Sequence, residues 1–371
     1  MPSPQDSRTS RREFIRAAAV GGLALASALS ESDTQEAQRV TRERLAQWHG
    51  FNLLEKFTLG RNAPFVERDF QWMADWGFTF ARLPMDYRCW SDADDPMQLK
   101  EPVLKEIDQA VELGKQYGVH IDINFHRAPG YSVNRTPPEQ MDLWTEERPQ
   151  EICEFHWRHF ARRYKGIPNQ QVSFNLFNEP GRVDPAVHDR VVRRMITAIR
   201  EEDPDRLIIL DGLWWANNVI PGVEDLGVAQ STRGYQPMDV SHYKASWVGG
   251  ENWPKPSWPG KMRDGKQWDK ETLRERFAPW AEKAKTDPGV HVGEFGAFRF
   301  TPHEVVLGWM KDWLDIWAEA RVGCALWNLR GSFGVVDSER EDVEYEKFDG
   351  DHQLDRKMLE LLRQNAAAAP D

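Results

Sequence analysis

The feature that most constrains the fold of this chain is a regular alternation of short apolar runs with longer segments of helical period. Such alternation is typical of a parallel sheet built from βα units. The predicted strands are 49–54, 78–83, 120–125, 172–177, 207–210, 238–242, 290–294 and 324–327. Eight units in 371 residues predict an α/β protein with a single (β/α)8 TIM barrel. An open doubly wound sheet is the alternative, but it normally has a Gly-rich turn after its first strand, and Gly50-Phe51-Asn52-Leu53 is no such turn.

The N-terminus has the features of an export signal. An arginine pair, Arg11-Arg12, stands two residues before Phe14, and an uncharged stretch of small and apolar residues follows at 17–30. This pattern predicts a twin-arginine signal peptide, residues 1–28, that is cleaved after Ala28. A basic disordered tail is the alternative. We therefore expect one catalytic domain at 35–366, exported to the periplasm or outside the cell, with no membrane span after cleavage.

Charge and residue usage exclude several classes of partner. The formal net charge is -11, and both nucleic acid and anionic lipid need a basic face. The three cysteines are too few and too widely spaced for a disulfide framework. The ten histidines form neither an H-x-H nor an H-E-x-x-H pattern, so we expect no metal and no other cofactor. A neutral polymer such as a polysaccharide is compatible with this composition, and we expect a monomer.

Seventeen tryptophans are the outlier of the composition. Indole rings stack on the apolar faces of flat or amphipathic ligands, although most tryptophans pack in cores. Trp215, with Asn217 on the same predicted loop, is a candidate substrate contact. A second candidate is the segment 244–268, which is rich in Pro, Gly and Trp and long for a connection in a compact domain. We expect it to form a wall or lid of a cleft.

Two short motifs place a glutamate at the end of a predicted strand. Asn178-Glu179-Pro180 follows the fourth strand, and Gly293-Glu294-Phe295-Gly296 ends the seventh. In a barrel of parallel strands, catalytic side chains collect at the carboxyl ends, and two converging carboxyls there can break a glycosidic bond. The alternation of strand side chains also points Arg82 and His126 into the barrel mouth, Glu294 inward with Val292, and Trp327 inward with Ala325.

In these residues the chain resembles glycoside hydrolase family 5, the cellulase-type retaining hydrolases, over essentially its mature length. The resemblance implies that Glu179 is the acid/base and Glu294 the nucleophile. It also implies that Arg82, His126, His242 and Trp327 surround the sugar. The family commonly has His, any residue, Tyr at the sixth strand, whereas this chain has Ser241-His242-Tyr243-Lys244. A shift of one residue reverses the face of a strand side chain, and we expect both His242 and Tyr243 in the site.

The mechanism that the resemblance implies needs two carboxyls about 5 Å apart, one ionised and one protonated. Arg82 would keep Glu294 ionised, and a tyrosine hydroxyl would orient it. Asn178 would bind the sugar 2-hydroxyl, His126 and His242 other hydroxyls, and Trp327 would stack under the ring. The expected activity is endoglucanase-like cleavage of β-linked glucan. Cleavage of β-mannan, β-1,3-glucan, xyloglucan or a glycolipid, and a catalytically inactive carbohydrate-binding barrel, are the alternatives.

Overall fold

Eight parallel strands form a closed barrel in the computed structural model, which describes residues 40–134 and 136–367. The strands are β1 Gly50–Asn52, β2 Phe80–Asp86, β3 His120–Ala128, β4 Val172–Asn175, β5 Ile208–Asp211, β6 Ala229–Gly234, β7 Val290–Phe295 and β8 Gly323–Leu326. Each strand pairs with the next, and β1 pairs with β8, which closes the ring. The prediction of a single (β/α)8 TIM barrel is confirmed. The predicted leader at 1–28 and the start of the predicted domain at 35–39 lie outside the described residues.

Helices surround the barrel. They are α1 Arg42–Ala46, α2 Glu67–Asp75, α3 Glu101–Tyr117, α4 Glu147–Arg163, α5 Pro185–Glu202, α6 Met238–Ser241, α7 Lys270–Lys283, α8 His303–Ala320 and α9 Arg356–Ala367. The connection between β5 and β6 has only the helical turn Leu213–Ala216 and the 3-10 turn Glu224–Leu226. Further 3-10 turns are Leu59–Arg61, Tyr87–Cys89 and Ser246–Val248. Short strands outside the barrel are Tyr131–Ser132, Gly260–Lys261, Gln267–Trp268, Glu346–Phe348 and His352–Leu354. In the part of the chain that the structure describes, no helix is both long and apolar enough to cross a membrane.

The predicted sixth strand at 238–242 is wrong. Pro237 precedes a single helical turn, α6, and the sixth strand lies earlier, at Ala229–Gly234. The sequence pattern does not reveal β6, because most of its side chains are polar and form hydrogen bonds inside the protein. Gln230, for example, bonds both the N–H and the carbonyl of Ile220, and the Thr232 hydroxyl donates to the carbonyl of Ala216. Buried polar groups with partners cost little, so hydropathy alone does not reveal such a strand.

The apolar core has two parts. The larger lies between the outer face of the strands and the helices, and it includes all three cysteines. A smaller cluster fills the amino-terminal end of the barrel. There Leu45 of α1, and Trp48 just after this helix, pack under Phe80, Ile209 and Ala325. Trp48 stacks on the His120 ring at 3.6 Å between ring centres. This plug leaves the carboxyl end of the barrel to polar side chains.

The predicted phase of β7 is also wrong in its lower half. Val292 packs in the outer core, and His291 points into the barrel, where its ring lies 4.3 Å from that of Phe80. The pairing of β7 with β6 shifts register between Val292 and Glu294, which is a β-bulge. A bulge adds one residue to a strand and so reverses the faces beyond it. Glu294 therefore reaches the interior, as predicted, but by a bulge at Gly293 and not by simple alternation.

Candidate active site

Glu179 and Glu294 meet at one polar pocket above the apolar plug. Glu179 follows β4 and Glu294 ends β7, and the guanidinium of Arg233 on β6 lies between them. Its Nε donates to Glu179 Oε1 at 2.9 Å, and its Nη2 is 3.2 Å from Glu294 Oε1. The two carboxyls that the motifs predicted are thus neighbours of one cation. Arg233 was missed by the sequence analysis because β6 was not recognised.

Glu294 is held by three contacts, of which two are hydrogen bonds and one is an ion pair. Arg82 Nη1 donates to Oε1 at 2.6 Å, and the Tyr235 hydroxyl donates to Oε2 at 3.0 Å. The third is Arg233, and only 3% of the Glu294 side chain is exposed. Opposite charges and hydrogen bonds to the charged form both favour a carboxylate. The pocket therefore holds the Glu294 carboxyl in one position between two guanidiniums and a hydroxyl.

Glu179 is in a different electrostatic state. Its side chain is 14% exposed, and burial, followed by the negative charge of Glu294, raises its pKa to about 8. The guanidinium of Arg233 acts in the opposite direction. Asp211 also lies close, because its Oδ2 accepts from both the backbone N–H of Glu179 and Arg233. A pKa raised in this way favours the protonated form of Glu179 at neutral pH.

The backbone of Glu179 is strained. Its φ of 49° lies in the left-handed region, where a residue with a side chain pays about 1–2 kcal/mol. Two hydrogen bonds hold it there. The N–H donates to Asp211, and the carbonyl accepts from the Tyr131 hydroxyl at 2.6 Å. Strained residues of this kind concentrate at functional sites, because the surroundings fix one side-chain position.

Asn178 has one free donor in the pocket. Its Oδ1 accepts from Arg82 Nη2 and from Arg233 Nη2, both at 2.9 Å. These bonds fix the orientation of the amide, and its Nδ2 is buried with no partner in the structure. A buried N–H without a partner is costly, and a ligand hydroxyl would satisfy it. The geometry agrees with the predicted contact to a sugar hydroxyl.

His126 and Trp327 lie side by side at the rim of the pocket. Their ring centres are 5.5 Å apart, and Phe57 contacts both. Burial, followed by the positive charge of Arg82, lowers the pKa of His126 well below its usual value, so the ring is neutral. Its Nδ1 is buried without a partner in the structure. The pair therefore offers an imidazole for hydrogen bonding and a half-buried indole for stacking.

A tyrosine hydroxyl does contact Glu294, as predicted, but it belongs to Tyr235. The choice of Tyr243 for the sixth strand is wrong. Tyr243 lies outside the barrel strands, next to Lys244, whose Nζ is 5.6 Å from its ring centre. His242 is buried behind Tyr235, with ring centres 5.0 Å apart and its Nδ1 2.8 Å from Ser241 Oγ. Arg233-Gly234-Tyr235 keeps the spacing of the sixth-strand pattern, with arginine in place of histidine. A search for tyrosine two residues after an inward side chain would have found it.

The predicted contacts after β5 have separate places. In the helical turn Leu213–Ala216, Trp214 and Trp215 have φ of 55° and 58°, and Trp214 is 44% exposed. Trp215 packs on Gly181, next to the Glu179 motif, where an added Cβ would lie 3.3 Å from the indole. Asn217 instead holds the turn, because its Nδ2 donates to the carbonyls of Trp214 and Trp215. Its Oδ1 accepts from Arg276.

The segment 244–268 is tied down at several points. Trp258 Nε1 donates to Asp312, and the Arg263 guanidinium lies 3.7 Å from the ring centre of Trp253. Trp247 is 56% exposed and packs edge-on against Phe298, with ring centres 4.7 Å apart. Trp247 also contacts His242, which itself contacts Tyr235. The start of this segment is therefore continuous with the pocket.

The fold and this pocket define a class. A TIM barrel that brings two glutamates together at its carboxyl end, with the pKa of one of them raised by burial and by the other, is the arrangement of an O-glycosyl hydrolase. Residues 35–332 match the family model described as Cellulase (glycosyl hydrolase family 5). The chain belongs to glycoside hydrolase family 5.

Three relatives illustrate the family. Endoglucanase C of Acetivibrio thermocellus is 26% identical over 312 residues, which cover 76% of this chain and 89% of that protein. Cellodextrinase A of Ruminococcus flavefaciens is 28% identical over 260 residues, covering 66% of this chain and 72% of its own. A crystal structure described as a glycoside hydrolase is 37% identical, with a TM-score of 0.82, and covers 86% of this chain and 99% of that one.

Proposed function

We propose that this glycosidase cleaves β-linked glucan by double displacement, with Glu294 as nucleophile and Glu179 as acid/base. The observation that carries the proposal is the contrast between the two carboxyls. Glu294 is surrounded by two guanidiniums and a hydroxyl, whereas burial and Glu294 raise the pKa of Glu179 to about 8. A retaining mechanism needs one carboxyl in each state.

In the first step, a carboxylate oxygen of Glu294 forms a bond to the anomeric carbon while the glycosidic C–O bond breaks. Glu179 gives its proton to the departing oxygen, which leaves as an alcohol. Asn178 Nδ2 and His126 Nδ1 are the partnerless polar atoms that suit sugar hydroxyls. Trp327 is the stacking surface for the reacting ring.

In the second step, Glu179 takes a proton from water, and the water oxygen attacks the anomeric carbon. The ester bond to Glu294 breaks, and the carboxylate returns with its bonding electron pair. Two displacements at the same carbon retain its configuration. The protons balance, because Glu179 ends the cycle protonated as it began.

β-Linked glucan is the substrate that two observations favour. Two of the relatives described above, an endoglucanase and a cellodextrinase, are named for cleavage of glucan or of its oligosaccharides. The exposed Trp214 and the neighbouring Trp215 lie on the side of Glu179, where the leaving group departs, and they could hold further sugar units of a chain. This arrangement supports endo action. We also propose that the enzyme acts as a monomer after twin-arginine export.

Product analysis tests the proposal. The mature protein would be incubated with cellulose oligosaccharides, mixed-linkage and β-1,3-glucans, mannan, xyloglucan and glycolipids, beside Glu179→Ala and Glu294→Ala. Cleavage of β-1,4-glucan by wild type alone, with the β-anomer released first as seen by NMR, supports it. An α-anomer as first product refutes double displacement, and preferential cleavage of another polymer refutes the substrate.

A further inference from the structure

Arg233 has contacts that none of the predicted roles requires. It lies on β6, where the resemblance predicts histidine, and 3% of its side chain is exposed. Its Nε donates to Glu179, and its Nη2 contacts Glu294, Asn178 and Asp211. Its Nη1 donates to the Ser231 hydroxyl and the carbonyl of Thr232, both at 3.1 Å. All three nitrogens are therefore engaged, and the guanidinium has one position.

The neighbouring strand is shaped to admit this guanidinium. Gly293 sits at the bulge of β7, and a Cβ added there would lie 2.8 Å from Arg233 Nη1 and 2.6 Å from Ser231 Oγ. Real Cβ atoms essentially never make such close contacts. The glycine before Glu294 thus has a physical reason, because any side chain at 293 would displace Arg233.

Arg82 provides the comparison within the same pocket. It also contacts Glu294 Oε1, at 2.6 Å, but its other donors go to Asn52, Asn175 and Asn178. Among the described residues, the hydrogen bond from a guanidinium to the Glu179 carboxyl comes from Arg233. The two arginines therefore differ in their contacts with the two glutamates: Arg82 hydrogen-bonds to Glu294, whereas Arg233 contacts both Glu294 and Glu179.

The chemistry of the proposed function moves a negative charge between these two carboxyls. Before the first step Glu294 is ionised and Glu179 is protonated. After it Glu294 is a neutral ester and Glu179, having given its proton to the leaving group, is ionised. The second step reverses this transfer. A fixed cation in contact with both groups stabilises each charge state without moving, and arginine stays charged throughout.

We infer that Arg233 is a shared counter-ion of the two carboxyls, a positioning residue that stabilises Glu294 before glycosyl transfer and Glu179 after it. This inference rests on the proposed function and adds to it the residue that makes Glu179 an effective base. Glu179 is faced by charged or titratable groups from several elements. They are Glu294 on β7, Arg233 on β6, Asp211 on β5 and Tyr235 after β6. Arg82 on β2 contacts the same Glu294 and Asp211, and Asp122 on β3 lies beside Arg82.

The test separates the two chemical steps with an activated substrate. With 2,4-dinitrophenyl β-cellobioside the leaving group needs no proton, so the first step does not depend on Glu179 as acid, while the second still needs its base form. Arg233→Gln should therefore show a burst of one equivalent of dinitrophenolate, followed by a steady rate about 100-fold below wild type. Azide, a nucleophile that needs no base, should raise that rate and yield glycosyl azide.

Arg82→Gln is the matched control, since it also removes a buried arginine that contacts Glu294. It should slow the first step and show neither burst nor azide acceleration. In pH profiles of kcat/KM, Arg233→Gln should move both limbs to higher pH, because both carboxyls lose a cation. Arg82→Gln should move the acidic limb alone, because only Glu294 loses a contacting cation.

An unchanged alkaline limb in Arg233→Gln, with no burst and no azide effect, would overturn the inference. If Arg233→Gln does not fold, as judged by circular dichroism, Arg233→Lys takes its place. Lysine retains the charge but cannot contact both carboxyls, so a smaller burst and a smaller upward shift of the alkaline limb are expected. An unchanged limb again counts against it. Failure of the folded wild type to cleave any β-glucoside would instead refute the proposed function.

Discussion

The hydroxyl of Tyr235 provides the sharpest quantitative prediction. It donates to Glu294 Oε2 at 3.0 Å, and Tyr235→Phe removes this bond and little else. A hydrogen bond to a charged group contributes about 1.5–3 kcal/mol. If the bond holds the nucleophile in its attacking position, its loss should lower kcat/KM roughly 10- to 150-fold, since each 1.36 kcal/mol is a factor of ten. The assay is initial-rate kinetics on an aryl β-cellobioside.

Tyr243→Phe is the control for this experiment. Tyr243 is near in sequence and was the tyrosine that the strand pattern favoured, yet its ring lies beside Lys244 outside the barrel. We expect kcat/KM of Tyr243→Phe to stay within about twofold of wild type, as for a surface change. Melting temperatures of both variants check that folding is intact. A larger loss in Tyr243→Phe than in Tyr235→Phe would refute the placement of β6.

Three further outcomes are expected. Because Glu179 acts as an acid and burial with Glu294 raises its pKa to about 8, kcat/KM should fall as pH rises through about 8; a plateau to pH 10 would exclude Glu179 as the acid. Trp48→Ala empties the plug of the barrel and should cost about 3–5 kcal/mol of unfolding free energy, whereas Trp247→Ala, at an exposed ring, should cost under about 0.5 kcal/mol in urea denaturation. Replacing both Arg11 and Arg12 by Lys should leave the precursor in the cytoplasm in cell fractionation, and continued export would refute the twin-arginine prediction.

The sequence predicted the barrel because parallel strands covered by helices are apolar on their outer face. Strands β3 and β4 have this pattern. On β3 the polar inward residues Asp122, Asn124 and His126 follow simple alternation. The positions of Glu179 and Glu294 followed from their place at the carboxyl ends of strands, although Glu294 reaches the interior by a bulge and not by alternation. Hydrophobic periodicity predicts a strand correctly where the buried face of that strand is apolar.

Periodicity failed where polar side chains form the interior. In β6 the residues Gln230, Thr232 and Arg233 are buried with hydrogen-bond partners that lie 10, 16 and 54 residues away in the sequence. The apolar Met238 and Val240 seemed a better strand, although Pro237 begins a helical turn there. The need for glycine at 293, at the bulge, likewise comes from Arg233 on the neighbouring strand. Such features depend on long-range contacts that a local pattern does not contain.

The most direct test of double displacement with Glu294 as nucleophile is to trap the covalent intermediate. A 2-deoxy-2-fluoro-β-cellobioside with a dinitrophenyl leaving group forms the glycosyl ester but hydrolyses it slowly, and mass spectrometry of peptides then locates the sugar. We expect one fluorocellobiosyl group per chain, attached to Glu294. A label on Glu179 or another residue, or turnover with inversion and no label, would contradict it.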